Sequence, residues 1–179
     1  PGAASTRADG LLARRRFVAA AGAGLAAALA GCVGGSGPDG TDDLTLESLD
    51  VGGSPGGPLV LRPTGKVALL DFFATWCAPC KPEMANLRAV RSTFSEQAVA
   101  MRSITQETDA TAVRRFWRRY EGTWPVAMDV DLEATRTYDV TGVPTIVVLT
   151  PGGEVVMRHT GLAGRERIEA AIDEALRRA

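Results

Sequence analysis

The stretch W-C-A-P-C at residues 76–80 constrains this chain most, because it places two thiols one helical turn apart directly after an apolar run at residues 67–73. A strand-then-helix pattern around C-x-x-C is typical of a redox dithiol. Such a pair closes a small disulfide ring and opens it again without unfolding the chain. The pattern therefore predicts an α/β protein whose thiol chemistry lies at the end of a strand.

A C-x-x-C pair also occurs in zinc sites and in static structural disulfides. A tetrahedral zinc site needs four ligands, whereas this chain has three Cys, a single His at His159 and no second Cys pair. A structural disulfide across so short a loop would restrict the unfolded chain little. Both alternatives are disfavoured, His159 is interpreted as incidental, and neither a metal nor a cofactor is expected.

The composition is that of an ordinary globular protein, with 45% hydrophobic and 23% charged residues. The 179 residues suffice for one domain with a sizeable core once an N-terminal segment is set aside. The net charge of -1 shows no basic excess of the kind that nucleic acids attract. A nucleic-acid partner is therefore not expected.

Residues 1–31 resemble an export signal. Arginines at 14–16 precede the weakly apolar residues 17–30, a stretch of fourteen that is too short to span a bilayer comfortably. Paired arginines in this place resemble a twin-arginine signal. The sequence L-A-G-C at residues 29–32 resembles a lipobox, in which Cys32 becomes the lipidated first residue of the mature chain. An ordinary signal peptide with an incidental Cys32 is the alternative.

The residues that follow favour the lipoprotein interpretation. Residues 32–43 are rich in Gly, Ser and Asp, and such a stretch is expected to be a flexible tether. Lipidation of Cys32 leaves Cys77 and Cys80 as the only pair of thiols in an exported protein. The chain is thus expected outside the cytoplasm, anchored by Cys32 to the outer face of the cytoplasmic membrane.

Apolar periodicity in the remaining residues, 44–179, predicts strands that alternate with helices. Strands are predicted at 44–46 and 59–61 around a loop at 52–58, at 67–73, at 99–104, and in a hairpin formed by 145–149 and 155–159. Helices are predicted from Pro82 onward, over 113–120, over 131–138, and at the end of the chain around Ile168, Ile172, Ala175 and Leu176. Such an order indicates a mixed sheet covered by helices.

Two motifs give the chain a family resemblance. Residues 71–84, D-F-F-A-T-W-C-A-P-C-K-P-E-M, resemble the active-site strand and helix of the TlpA/ResA-like thiol-disulfide oxidoreductases, and residues 142–145, G-V-P-T, resemble the cis-proline loop of that family. The resemblance implies that residues 44–179 form a thioredoxin-like mixed β-sheet flanked by helices, with an N-terminal β-hairpin and a central helical insertion near residues 109–120. Ala85 departs from the family, many members of which carry proline there.

The family resemblance and helix chemistry together assign roles to the two thiols. Cys77, next to the positive end of a helix, is expected to be the attacking thiolate. Cys80 is expected to resolve the mixed disulfide that forms on Cys77. Because no charge or His lies between them, we expect a reducing protein, nearer the about -270 mV of thioredoxin than the about -120 mV of DsbA.

Four further residues are candidates for the site. Asp71 interrupts the apolar run, either as a desolvated carboxylate of raised pKa that exchanges a proton with Cys80, or as a strand-edge carboxylate that meets water. The resemblance implies a cis Pro144 that presents the Val143 backbone to an extended substrate, whereas an isolated V-P favours a trans turn. Trp76 is expected to cover one side of the dithiol, to be a core aromatic, or both.

Other charged residues have ordinary structural explanations. Glu83 in a first helical turn is interpreted as a surface residue that compensates the helix dipole. Four arginines lie opposite an apolar stripe and are interpreted first as a solvated helix face, with a contact for anionic headgroups or an acidic partner as the alternative. These arginines are Arg114, Arg115, Arg118 and Arg119.

The resemblance implies a membrane-tethered reductase of disulfides in exported proteins, for example the haem-site cysteines of apocytochrome c during cytochrome c biogenesis. Electrons would come from a membrane dithiol donor of the CcdA type. A Sco-like copper delivery protein is the alternative from another class, although its C-x-x-x-C is one residue longer than the motif here. A disulfide-forming oxidant is a further alternative, and a peroxidase lacks its lone Cys in a T-x-x-C setting.

Overall fold

The structure is a computed structural model that describes residues 44–179. The signal at 1–31, the tether at 32–43 and Cys32 lie outside the described residues. The described part contains seven strands and four helices. In chain order they are β1 Thr45–Val51, β2 Ser54–Val60, β3 Val67–Phe73, α1 Cys80–Thr93, β4 Val99–Thr105, α2 Ala110–Arg119, β5 Val126–Met128, α3 Glu133–Thr137, β6 Thr145–Leu149, β7 Val155–Thr160 and α4 Arg165–Arg177.

The strands form one mixed sheet in the order β2-β1-β5-β4-β3-β6-β7. Strand β3 pairs in parallel with β4 and antiparallel with β6, and all seven of its residues are buried. A strand covered on both faces needs apolar side chains on both, which explains why six of its seven residues are apolar and only Asp71 is not. The chain passes from the C-terminal end of β3 into α1, so the dithiol lies just beyond the end of this central strand.

The sheet has a core on each face, and alternate residues of β3 point into each. Leu69 and Phe73 join the core that also contains Cys77 and Cys80. Ala68, Leu70 and Phe72 belong to the other core. Asp71 lies two residues from both Leu69 and Phe73, so its carboxyl group faces the same side of the sheet as the disulfide.

The predicted order of strands and helices is confirmed, with three differences. The loop expected at 52–58 is shorter, because Ser54–Val60 is paired along its length with β1 around a turn at Gly52. Strand β5 was not predicted, since three residues carry no readable alternation. Leu176, one of the four apolar residues from which the last helix was predicted, is 36% exposed on α4. Among residues 44–179, no helix has the length and apolarity needed to cross a bilayer.

The end of α2 is packed so tightly that it tolerates no side chain at Gly122. Trp117 is fully buried and contacts Trp124 edge to face, with ring centroids 5.2 Å apart. A Cβ atom on Gly122 would lie 2.1 Å from the Trp117 ring. Gly122→Ala should therefore lower the free energy of unfolding by about 1–3 kcal/mol or more, as overpacking does. Gly164→Ala is the control, because nothing lies within 4 Å of its Cβ position, and equal urea midpoints for the two variants would contradict the packing argument.

Candidate active site

The two sulfurs of Cys77 and Cys80 form a disulfide at the N-terminus of α1, with an S–S distance of 2.04 Å and Cα atoms 5.3 Å apart. Cys80 is the first residue of the helix, and its backbone N–H points to Cys77 Sγ at 3.2 Å. The first N–H groups of a helix lack intrahelical partners and carry the positive end of its dipole. This arrangement stabilises negative charge on the Cys77 sulfur when the pair is reduced.

The disulfide is buried, whereas the residues around it are open to solvent. Cys77 is 3% exposed, but Trp76 is 73% exposed, and Ala78 and Pro79 are exposed as well. The expectation that Trp76 is a core aromatic is wrong. Its indole instead lines an open groove of about 640 Å³.

This groove, called the Trp76 groove below, is built from the loops that follow β3 and β4, the residues around α3, and the loop before β6. Its lining is largely apolar, with hydroxyl, amide and carboxylate groups interspersed. The lining residues are Phe73, Ala74, Trp76, Gln106, Glu107, Leu132, Thr135, Val140, Thr141, Gly142 and Val143. Trp76 and Val143, which were predicted separately as substrate contacts, are thus brought together in one concave surface.

The Val143–Pro144 peptide bond is cis, which confirms the expectation and excludes the trans turn. Pro144 is buried, and its carbonyl oxygen accepts a hydrogen bond from the Gly161 backbone N–H at 2.8 Å. Val143 is half-buried and packs against both cores of the sheet. The loop is therefore held firmly while its Val143 backbone lies at the groove.

Glu107 fixes the segment that precedes the dithiol, through a contact that no motif in the sequence indicates. Its carboxylate accepts hydrogen bonds from both the backbone N–H of Thr75, at 2.6 Å, and the Thr75 hydroxyl, at 2.7 Å. These bonds tie the loop after β4 to the loop after β3. The clamp holds the backbone from which Trp76 and Cys77 project.

Asp71 is a buried carboxyl group, 1% exposed, and the alternative of a strand-edge carboxylate that meets water is wrong. Ser103 donates a hydrogen bond to Asp71 Oδ2 at 2.6 Å, and Trp124 Nε1 donates to the Ser103 hydroxyl at 2.9 Å. Asp71 Oδ1 has no hydrogen-bond partner among residues 44–179. Burial raises the pKa of Asp71 to about 7, against the opposing effect of the Ser103 hydrogen bond.

Glu83 corrects the sequence interpretation, because it is a buried residue of the site and not a surface residue. Its Oε2 accepts a hydrogen bond from the Ala163 backbone N–H at 2.7 Å, while Oε1 has no partner within residues 44–179. Burial raises the pKa of Glu83 to about 7; the Ala163 hydrogen bond lowers it, and the charge of Asp71 raises it further. Glu83 lies three residues after Cys80, which places both on one helix face, and that spacing was the signal for its burial.

The site therefore contains two buried carboxyl groups that oppose each other's ionisation. Within residues 44–179, both Asp71 and Glu83 keep one oxygen without a hydrogen-bond partner, and each can hold or release a proton near neutral pH. Acids of such pKa are suited to proton transfer at physiological pH. Within the described residues, no three His, Cys, Asp or Glu side chains cluster as metal ligands.

A mixed sheet with a C-x-x-C disulfide at a helix N-terminus and a cis proline before a neighbouring strand defines a thioredoxin-like redox domain. The chain belongs to the Redoxin family, which matches residues 35–176. It is similar to the thiol-disulfide oxidoreductase ResA of Halalkalibacterium halodurans, 30% identical over 105 residues, which are 59% of this chain and 60% of ResA. ResA of Bacillus subtilis is 34% identical over 97 residues, 54% of each chain. The chain thus spans less than two thirds of the curated relatives that it matches.

Solved structures support the fold. The structure of DsbF of Mycobacterium tuberculosis, in mixed oxidized and reduced forms, superimposes with a TM-score of 0.66 at 20% identity and covers 75% of this chain and 96% of that one. StoA from Bacillus subtilis superimposes with a TM-score of 0.62 at 20% identity, covering 72% and 94% respectively. These similarities show that the chain has the thioredoxin-like fold predicted from its sequence.

The raised pKa of Asp71 makes the stability of the oxidised protein depend on pH. Between about pH 4 and pH 7 the folded chain keeps a proton that the unfolded chain has lost, so the free energy of unfolding falls as the pH rises through this window. Asp71→Asn should be more stable than the native protein by a few kcal/mol at pH 8, with a difference that shrinks towards pH 4. Urea unfolding across this range measures both curves.

The control for this prediction is Asp173→Asn, which changes an exposed carboxylate on α4. Its curve should follow that of the native protein at every pH. Parallel curves for native protein and Asp71→Asn from pH 4 to pH 8 would show that Asp71 ionises alike in the folded and unfolded chains.

Proposed function

We propose that this protein is an extracytoplasmic thiol-disulfide oxidoreductase that reduces disulfides of other exported proteins. The observation that carries the proposal is the Cys77–Cys80 disulfide at the N-terminus of α1, at the end of the buried strand β3. The similarity of this chain to proteins named thiol-disulfide oxidoreductase supports the same activity. The catalytic residues of the proposal are Cys77, Cys80 and Asp71, and the substrate contacts are Trp76, Val143 and Pro144.

The reaction is a pair of thiol-disulfide exchanges. The Cys77 thiolate attacks a substrate disulfide and forms a bond with one sulfur, while the other sulfur leaves as a thiolate and takes a proton. Cys80 then loses its proton and attacks Cys77 Sγ, which closes the intramolecular disulfide and releases the second substrate sulfur. The substrate gains two electrons and two protons, and the protein is left oxidised as in the structure.

Asp71 is the proposed acceptor of the Cys80 proton. Its carboxyl faces the side of the sheet on which the disulfide lies, and its Oδ1 has no hydrogen-bond partner within residues 44–179. A pKa of about 7 lets the carboxylate take up the proton of a thiol without holding it permanently. Glu83, on the same helix as Cys80, adds a second negative charge that keeps the pKa of the pair high.

The Trp76 groove would hold the substrate polypeptide. Val143 would offer its backbone to an extended segment, which adds as a strand beside the cis-proline loop. The exposed indole of Trp76 supplies an amphipathic surface against which the segment packs. Electrons would reach the oxidised dithiol from a CcdA-like membrane donor, and apocytochrome c haem-site cysteines are the substrates proposed from the family resemblance.

Replacing each cysteine separately tests the assigned roles. Cys80→Ser should retain a partner as a mixed disulfide on Cys77, because the resolving thiol is missing, and this adduct is visible on a non-reducing gel and by mass spectrometry. Cys77→Ser is the matched control and should retain none, since it lacks the sulfur that the Cys80 backbone N–H stabilises as a thiolate. Capture by Cys77→Ser in place of Cys80→Ser would reverse the assignment.

The same preparations distinguish an oxidoreductase from a copper carrier. The native protein should reduce insulin disulfides over many turnovers with dithiothreitol as the electron source, and both single cysteine variants should lose this turnover. Stoichiometric retention of Cu(I) through gel filtration, with no insulin turnover, would instead favour the Sco-like alternative.

The proposed lipid anchor depends on Cys32. Cys32→Ala should move the full-length protein from the membrane fraction to the soluble fraction, because the acyl chains of the proposed anchor are attached to the Cys32 sulfur. Purified Cys32→Ala protein should still reduce insulin, while Cys77→Ala protein should remain in the membrane fraction. Membrane retention of Cys32→Ala would show that Cys32 is not the anchor.

A further inference from the structure

We propose that a cationic cleft beside the dithiol binds acidic side chains of the substrate protein next to its disulfide. This inference rests on the proposed function and assigns it a substrate class. The cleft, of about 220 Å³, is lined by Lys81 of α1 and by Arg115 and Arg119 of α2. Phe116 and Tyr120 supply an apolar floor.

The cations of the cleft have no acidic partners within the described residues. The side chains of Lys81 and Arg115 make no ion pair there, and Arg119 only contacts the Tyr120 ring, with 5.8 Å between the guanidinium carbon and the ring centroid. Helix α2 itself contains no acidic residue. The neighbouring carboxylates are engaged elsewhere, since Glu107 holds Thr75 and Glu121 pairs with Arg88 at 3.6 Å.

Favourable interactions with helix dipoles do not explain why these three cations lie together. Arg119 lies in the last turn of α2, where a cation is favourable. Lys81, however, lies in the first turn of α1, where the dipole disfavours a cation, and Arg115 lies in the middle of α2. Three like charges directed into one concave site repel one another, and a bound carboxylate relieves that repulsion.

The position of the cleft points to the substrate of the dithiol as the source of the carboxylate. Lys81 follows Cys80 directly, and Thr75, in the wall of the cleft, stands two residues before Cys77. Its neighbour Trp76 lines the Trp76 groove. Thr75 and Trp76 are adjacent in sequence and line the cleft and the Trp76 groove respectively, so a polypeptide bound at the dithiol lies close to both.

The size and chemistry of the cleft fit an Asp or Glu side chain. Arginine guanidinium groups bind carboxylates through paired N–H donors, and the Phe116 and Tyr120 rings suit the methylene groups of an acidic residue. An anionic membrane surface would contact all exposed arginines of α2 alike, whereas the cleft contains only Arg115 and Arg119. The geometry therefore favours an acidic polypeptide over a lipid surface.

Two peptides that contain the same disulfide, one with Glu and one with Lys beside the cysteines, test the proposal. The second-order rate constant for oxidation of the reduced native protein should be roughly tenfold higher with the Glu peptide at low salt, a preference that two exposed charge pairs can supply. High salt should reduce this preference because it screens surface charges.

Two double variants with the same change in net charge distinguish an effect of the cleft on the peptide preference from an effect of the protein's overall charge. Arg115→Ala/Arg119→Ala should lose most of the preference for the Glu peptide. Arg114→Ala/Arg118→Ala alters the same helix outside the cleft and should keep it. Equal losses in both variants, or equal rates for the two peptides with native protein, would overturn the proposal.

Hydroxyethyl disulfide, which is uncharged and small, distinguishes failure of the cleft from failure of the proposed function. If the native protein reacts with this disulfide but shows no peptide preference, the proposed function stands and the proposed role of the cleft is wrong. If the native protein reacts with none of the three disulfides, the proposed function is wrong as well. If the Arg115→Ala/Arg119→Ala variant loses binding to phosphatidylglycerol vesicles but keeps the peptide preference, the cleft is a lipid site and the proposal is wrong.

Discussion

The position of the two sulfurs depends on the complete burial of β3 between β4 and β6. A strand hydrogen-bonded on both sides cannot shift its register without moving every side chain to the opposite face. The end of β3 is thereby fixed, and with it the loop from which α1 begins. The first turn of that helix then directs the Cys80 N–H to Cys77 Sγ, so a property of the sheet determines the environment of the thiolate.

The buried carboxyl groups of Asp71 and Glu83 lower the stability of the folded protein. A buried carboxyl group costs stability above its ordinary pKa of about 4, because the folded chain must then either ionise the group away from water or keep a proton that the unfolded chain has lost. Here Asp71 faces the side of the sheet with the disulfide and Glu83 lies three residues after Cys80 in α1, and each leaves an oxygen unsatisfied among the described residues. An apolar residue at position 71 would avoid this cost, so the buried acid there supports the proton-transfer role proposed above, whereas Glu83 also holds the Ala163 backbone N–H.

The sequence was sufficient for those features that are encoded locally. The run at 67–73, the C-x-x-C after it and the G-V-P-T loop each lie within a few adjacent residues, and the structure contains the strand, the disulfide and the cis peptide at those places. The burial of Glu83 and the Glu107 clamp were missed because their partners are distant in sequence: Ala163 lies 80 residues from Glu83, and Thr75 lies 32 from Glu107. Such contacts exist only after the sheet has assembled.

The loop between β7 and α4 joins the two sides of the site. Gly161 holds the carbonyl oxygen of Pro144, while Glu83 and Asn86 of α1 hold the N–H and the carbonyl of Ala163. The helix with the resolving thiol and the loop with the cis peptide are thus connected through one short stretch near the end of the chain. A polypeptide cut at the β6–β7 turn would carry the cysteines on one fragment and this brace on the other, so a competent thiol centre would require both pieces to reassociate.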